Sequence, residues 1–156
     1  MSNRARFALH GLCYLAMAPA GRPTSFSSLF GQLKGWSDRL TLSESYVGKV
    51  FQDLSRAGLV RAVPGRRGGY RLARPAAEVT VLDVVRAMDR KPDGDCCLLA
   101  DGSCPVQAGC GVLAVVEEAE KAFFSVLGSE TIEDMARRMA RPAARRRVKR
   151  AARPRG

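Results

Sequence analysis

Cys96, Cys97, Cys104 and Cys110 fall within one fifteen-residue stretch, CCLLADGSCPVQAGC, of a 156-residue chain whose only other thiol is Cys13. Thiolates ligate metals and attack disulfides, so four of them on one short loop point to a metal or iron-sulfur centre. Gly, Pro and Asp within the stretch let its backbone turn tightly enough to aim several sulfurs inward. A pair of redox thiols, making and breaking a disulfide across the loop, is the competing reading of the same spacing. A secreted disulfide scaffold fits poorly, because such domains are Cys-dense throughout, whereas five cysteines here serve 156 residues.

Other chemistry is hard to find. The sequence offers no paired carboxylates at catalytic spacing and no nucleophile elbow, and RRGGYR at residues 66–71 lacks the Lys-Ser/Thr of a phosphate-binding loop. The chain is therefore expected to be no enzyme and to take no small-molecule substrate.

The formal charge of +11 is unevenly distributed, since residues 137–156 hold nine Arg and one Lys with no acid, leaving 16 basic and 15 acidic residues upstream. The excess is a tail, RRMARPAARRRVKRAARPRG, whose composition and self-repulsion predict disorder over most of its length. It is either a solubilising end or a source of salt-dependent attraction to nucleic-acid phosphates. No apolar run approaches the roughly 20 residues that a membrane span needs. Arg4 and Arg6 ahead of FALHGLCYLAMAPA imitate a secretion signal, but His10 and Tyr14 interrupt the apolar run, which reads better as a buried first helix ending at Pro19 and Gly21. A cytoplasmic protein with no membrane partner is the expectation.

The elements that must carry the cysteine loop follow from periodicity. Phe26, Leu29 and Phe30 predict a helix over 24–33 with Thr24 and Ser25 as N-cap candidates, followed by a polar turn at GWSDR. Val47, Val50, Phe51 and Leu54 recur at i, i+3, i+4 and i+7, behind a possible Thr41–Glu44 capping box with Ser43 as a second cap candidate. Gly58 closes this helix. Residues 59–63 alternate as a strand, 64–69 turn, and 70–74 return. Val81, Val84, Val85 and Met88 give a short helix over 80–89 that leads into the cysteine loop. Beyond it, Val112, Val115, Val116, Ala119, Phe123, Val126 and Leu127 line one side of a long helix, with Phe124 widening the apolar surface. So long an apolar stripe calls for a partner helix from a second copy, unless it packs within the chain. TIEDMARRMA closes the pattern with Thr131 as cap and Glu133 and Asp134 at the positive end.

Helix, turn, helix and basic glycine-rich hairpin is the order of a winged helix-turn-helix, a module that reads DNA. With Val47, Val50, Phe51 and Leu54 inward, Ser45, Tyr46, Lys49 and Gln52 face outward, and together with Ser43 they suit base edges and phosphates. Arg66 and Arg67 at the hairpin tip suit a minor groove or its phosphates, with Gly68, Gly69 and Tyr70 allowing close approach. A solvated basic turn on a protein-binding winged helix is the bland alternative. The fold expected is mainly α with a small β-wing, divided as 1–75 winged helix-turn-helix, 76–136 cysteine loop and dimerisation helix, and 137–156 basic tail.

This order, with SESYVGKVFQDLSRAGLVRAVPGRRGGYRLARP, VTVLDVVRAMD, the cysteine loop and AEKAFFSVLGSETIEDM, resembles the Rrf2 superfamily of bacterial transcription regulators over about residues 3–136. The resemblance implies a homodimer on a double-stranded DNA operator, acting as a repressor, and CPVQAGCG looks most like the branches that sense iron supply, nitric oxide or oxidation through a 2Fe-2S or 4Fe-4S cluster. It assigns Cys104 and Cys110 as two ligands and either Cys96 or Cys97 as the third. Where one branch places a histidine as fourth ligand this chain has Leu113, and where another borrows an aspartate from the partner's first helix it has Arg6. His10, one turn further on, is a candidate for that role or a core histidine, and Cys13 is expected to be a small buried hydrophobe. A cluster-free thiol switch on the same scaffold, a zinc-stabilised interaction module and an electron carrier are the alternatives, the last disfavoured because it needs no reading helix.

Overall fold

Helix α1 (Asn3–Met17) is the element around which the others pack, burying Ala5, Phe7, Ala8, Leu9, Leu12, Cys13 and Leu15. The computed structural model describes residues 1–19, 22–36, 42–89 and 110–140. Ser2 caps α1 by accepting from the Ala5 amide at 3.2 Å, and the helix stops at Ala18, where Pro19 prevents its continuation. Both Cys13 and its neighbour Leu12 are fully buried, and burial pushes the Cys13 thiol up to about 11, so it packs as a small hydrophobe.

Helices α2 (Phe26–Trp36) and α3 (Glu44–Arg56) follow. Ser25 caps α2 through the Ser28 amide at 3.2 Å, and the helix continues through Gly35 and Trp36, where the sequence suggested a turn. A single glycine is too weak a breaker to end a helix with Leu29 and Leu33 anchored in the core. The cap of α3 is Ser43, which accepts from the Tyr46 amide at 3.3 Å, and not Thr41, which lies outside the described residues. Glu44 is thus the first helical residue, its carboxylate at the positive helix end. Val47, Val50, Phe51 and Leu54 are all buried, as their spacing predicts.

The wing is an antiparallel pair, β1 (Val60–Val63) and β2 (Gly69–Leu72), in the register Val60–Leu72, Arg61–Arg71, Ala62–Tyr70 and Val63–Gly69. A 3-10 turn (Ala76–Glu78) leads to α4 (Val81–Met88), and the chain ends its described part with α5 (Leu113–Ser129) and α6 (Ile132–Ala140). Two capping arrangements sit side by side: Thr80 with Asp83 at 3.0 Å in each direction, and Thr131 accepting from the Asp134 amide at 3.1 Å. Crossed backbone bonds of 2.8 Å, Val81 N–H to Glu130 O and Ile132 N–H to Val79 O, lock these starts together. Ile132 and Ala136 join the core that α1, α3 and α4 share. Residues 137–140, assigned to the tail by the charge run, are the last turn of α6, where Arg137 pairs with Glu133 at 3.1 Å and Arg138 with Glu130 at 2.8 Å. The tail from 141 onward lies outside the described residues.

The apolar stripe of α5 divides in two. Val116 is buried and Leu127 packs on the core, whereas Val112, Val115, Phe123 and Val126 face outward, 52%, 67%, 41% and 61% exposed. Mainly helical architecture with a two-stranded wing is what the sequence predicts.

His10 is half-buried on α1, and desolvation, with the Arg6 cation adding to it, lowers its pKa from 6.5 to about 4. The unfolded chain takes up a proton near pH 6.5 while the folded one resists it, so this contribution to stability is fully present above that pH and is lost as pH falls towards 4. Thermal melts of the wild type should therefore decline below pH 6.5 more steeply than those of His10→Gln. Parallel pH profiles for the two proteins would show that His10 carries no such penalty.

Candidate nucleic-acid interface and cysteine centre

Packing decides which residues of α3 and the wing remain available. On α3, Ser45, Lys49 and Gln52 are exposed, on the side away from Val47, Val50, Phe51 and Leu54. Ser43 is exposed too, with its hydroxyl engaged at the helix cap and 3.2 Å from the Ser45 hydroxyl. Tyr46 departs from the expected outward face: it is half-buried, its ring edge-on to Phe7 with centroids 5.9 Å apart. It sits at the margin of the apolar stripe, where an aromatic body packs and a polar tip stays wet.

Of the two acids on α3, Glu44 lies at the helix start and Asp53 is held in ion pairs. Asp53 is bound by Arg4 of α1 and by Arg56 at 3.1 Å, so the carboxylate next to Gln52 is neutralised. Lys49, Arg61, Arg66, Arg67 and Arg71 are exposed, and none of them has an ion-pair partner among the described residues. Arg61 and Arg71 face each other across the hairpin, a like-charge pairing that costs stability unless an anion bridges it. Sequence reading singled out the tip arginines and missed this pair, because cross-strand register becomes visible only once the turn length is fixed.

Gly68, Gly69 and Tyr70 have structural work. Tyr70 stacks at a tilt on Phe51, centroids 4.9 Å apart, so its ring faces the core. Its backbone exchanges hydrogen bonds with Thr24, 2.9 Å from the Thr24 N–H and 2.8 Å to the Thr24 O, stapling the wing to the entry of α2. Gly69 permits this approach: its φ is +151°, and a Cβ there would lie 2.1 Å from the Thr24 carbonyl oxygen. Gly68 donates to the Gly65 carbonyl at 2.9 Å and closes the hairpin tip, leaving Arg66 and Arg67 projecting.

Of the cysteines, Cys110 is described: a free, half-buried thiol just ahead of α5, its carbonyl accepting from the Leu113 amide at 3.1 Å. Cys96, Cys97 and Cys104 lie outside the described residues, and among the described residues no group of three or more metal-ligating side chains occurs. Leu113 is half-buried, Arg6 is exposed beside Asn3 at 3.3 Å, and neither can ligate a metal. As a donor set, soft thiolates separated by six or seven and then five residues suit an iron-sulfur cluster in chemistry.

A capped second helix exposing Ser, Lys and Gln, carried beside a basic two-stranded hairpin, defines a winged helix-turn-helix DNA-binding protein. The chain belongs to the Rrf2 family, whose model, an iron-dependent transcriptional regulator, matches residues 1–138; its members are DNA-binding transcription regulators and not enzymes. The chain is similar to IscR of T. potens, at 26% identity and a TM-score of 0.69 over 92% of this chain and 91% of that one. It is also similar to CymR, the global cysteine regulator of B. subtilis, at 25% identity and a TM-score of 0.64 over 88% and 96% of the two chains. Protein aau3 of Rhizobium meliloti (strain 1021) is 43% identical over 102 residues, a match covering 65% of this chain and 65% of that protein.

Replacing Gly69 with alanine should detach the wing from Thr24, at a cost on the order of 2 kcal/mol. The expected signature is a lower melting temperature together with weakened DNA binding at unchanged helix content by circular dichroism. Wild-type stability in Gly69→Ala would show that the staple is not closely packed.

Proposed function

We propose that this protein is a cytoplasmic, homodimeric repressor that binds a double-stranded DNA operator and senses iron, nitric oxide or redox state through a cluster held by Cys104, Cys110 and one of Cys96 and Cys97. The observation that carries the DNA-binding part is the unpaired basic hairpin next to the exposed Ser45, Lys49 and Gln52 of α3. In this reading Lys49 and Gln52 meet base edges and phosphates in a major groove, while Arg66 and Arg67 reach the neighbouring minor groove or its phosphates. The family match and the likeness to IscR support a regulator, and the resemblance of CPVQAGCG to the cluster-holding branches of the family supports a cluster. When bound, a 2Fe-2S or 4Fe-4S cluster supplies an oxidisable, nitric-oxide-reactive centre. This chain's own part is to hold the thiols: Cys110 leads directly into α5, and Asp89, at the end of α4, accepts from the Ser2 amide at 2.8 Å. In sequence the cysteines thus stand between α4, anchored to α1, and α5. A difference of a few kcal/mol in DNA affinity between two states of such a loop changes operator occupancy by orders of magnitude.

Dimerisation is read from the outward apolar row of α5, Val112, Val115, Phe123 and Val126. It would give two reading heads for a pseudo-palindromic site. Val115→Glu combined with Val126→Glu alters side chains that this fold leaves in water. The variant should keep its helix content and run as a monomer in light scattering, with its operator affinity lost. A dimer that survives both substitutions would remove α5 from the interface.

The cluster is tested by purifying the protein without oxygen, recording its visible spectrum and its iron and sulfide content, and measuring DNA binding before and after nitric oxide or a chelator. Coloured protein with iron and acid-labile sulfide is expected, with the colour lost in Cys104→Ser and in Cys110→Ser at unchanged circular dichroism. Pale protein that forms a disulfide on oxidation would favour the thiol switch, and tightly bound zinc indifferent to oxygen would favour the interaction module.

A further inference from the structure

An open cleft of about 380 Å³ lies between the wing tip and the entry of α2, with Arg22, Thr24, Ser25, Ser28, Arg66 and Arg67 in its lining. Three arginines and three hydroxyl residues line it, and among the described residues no carboxylate does. Arg22 is exposed and, like Arg66 and Arg67, has no ion-pair partner among the described residues. Three guanidinium groups brought together without an acid repel one another, and the arrangement is relieved by a multivalent oxyanion, for which the guanidinium fork is shaped. The walls are also fixed in advance. Thr24 is bonded to Tyr70 at 2.9 and 2.8 Å, and Gly69 packs against the Thr24 carbonyl, so the wing wall and the helix wall keep their spacing without a ligand. A preformed site does not have to be ordered when its ligand arrives.

We infer that this cleft seats a backbone phosphate of bound duplex DNA, with Arg22 as a DNA contact contributed from outside both the reading helix and the wing. The inference rests on the DNA-binding reading given above. It adds a fixed electrostatic contact that is blind to sequence and sets the register of the wing on the duplex. DNA is favoured over a free anion because two of the three arginines belong to the hairpin tip that the same reading places on the duplex. The cleft is also open, as a seat for a polymer must be.

Full-length protein is titrated with a random duplex of about 30 base pairs, and with one selected in vitro for tight binding to it, across a salt series. Each phosphate contact contributes about 0.9 to the slope of log affinity against log salt. Arg22→Gln should lower that slope by about 0.9 for each protomer engaged and weaken both duplexes by the same factor, roughly three- to tenfold at about 100 mM salt. Arg22→Lys should restore the slope. Ser28→Glu supplies the complementary test: Ser28 is the third residue of α2, where a carboxylate favours the helix, so the variant should melt no lower than wild type while losing affinity for both duplexes. A slope unchanged in Arg22→Gln, with Lys49→Gln still weakening binding, overturns the cleft assignment and leaves the DNA-binding reading intact. Absence of salt-dependent binding by the wild type overturns both. Inorganic phosphate that shifts the Ser25 and Ser28 amide resonances at millimolar concentration, with the duplex slope unmoved in Arg22→Gln, would assign the cleft to a free anion and overturn the proposal.

Discussion

The reading head keeps its shape because the ring of Phe51 is wedged between Gly11 of α1 and Tyr70 of β2. Phe51 is fully buried, a Cβ on Gly11 would come within 2.7 Å of its ring, and the Tyr70 ring lies 4.9 Å away. One side chain of α3 thus fixes the distance of that helix from α1 and the position of the wing. With Phe51 inward, Ser45, Lys49 and Gln52 have no direction left but outward on a helix that turns about 100° per residue. Their availability is a by-product of core packing, which is how a module with a small core can hold polar side chains in a constant frame.

Much of this was legible in the sequence because a strong period leaves little freedom. Val47, Val50, Phe51 and Leu54, and again Val81, Val84, Val85 and Met88, mark buried faces without ambiguity, and every one of them is buried. Two tyrosines were less legible for one physical reason. A tyrosine satisfies a core with its ring and water with its hydroxyl, so its type does not say which way it points. Tyr46 finds Phe7, and Tyr70 finds Phe51, through contacts between elements distant in sequence. The start of α3 was legible only as a choice: Thr41 has capping-box spacing to Glu44 and Ser43 is a second candidate, and it is Ser43 that takes the Tyr46 amide. For α5, a single stripe merged two faces, one on α4 and one outward, since period alone counts apolar residues without saying what covers them.

The N-terminal turn of α1 connects parts that sequence distance keeps separate. Ser2 donates to Asp89, at the end of the helix that leads into the cysteine stretch, and Arg4 binds Asp53 on the reading helix. Both contacts leave the same helical turn, so the end of α4 and the reading helix share an anchor on α1.

The chain holds two kinds of positive charge, and they do different things. The ten basic residues among the last twenty, with no acid beside them, raise attraction to any polyanion at a range set by the salt-dependent screening length. The arginines of the hairpin and of the α2 entry are held by a backbone that Thr24, Gly69 and Tyr70 pin together. Fixed charges of this sort reward one orientation of a phosphate ladder over the others. Net charge therefore says how strongly such a protein is drawn to nucleic acid, while a close backbone contact at one glycine determines how it sits once there.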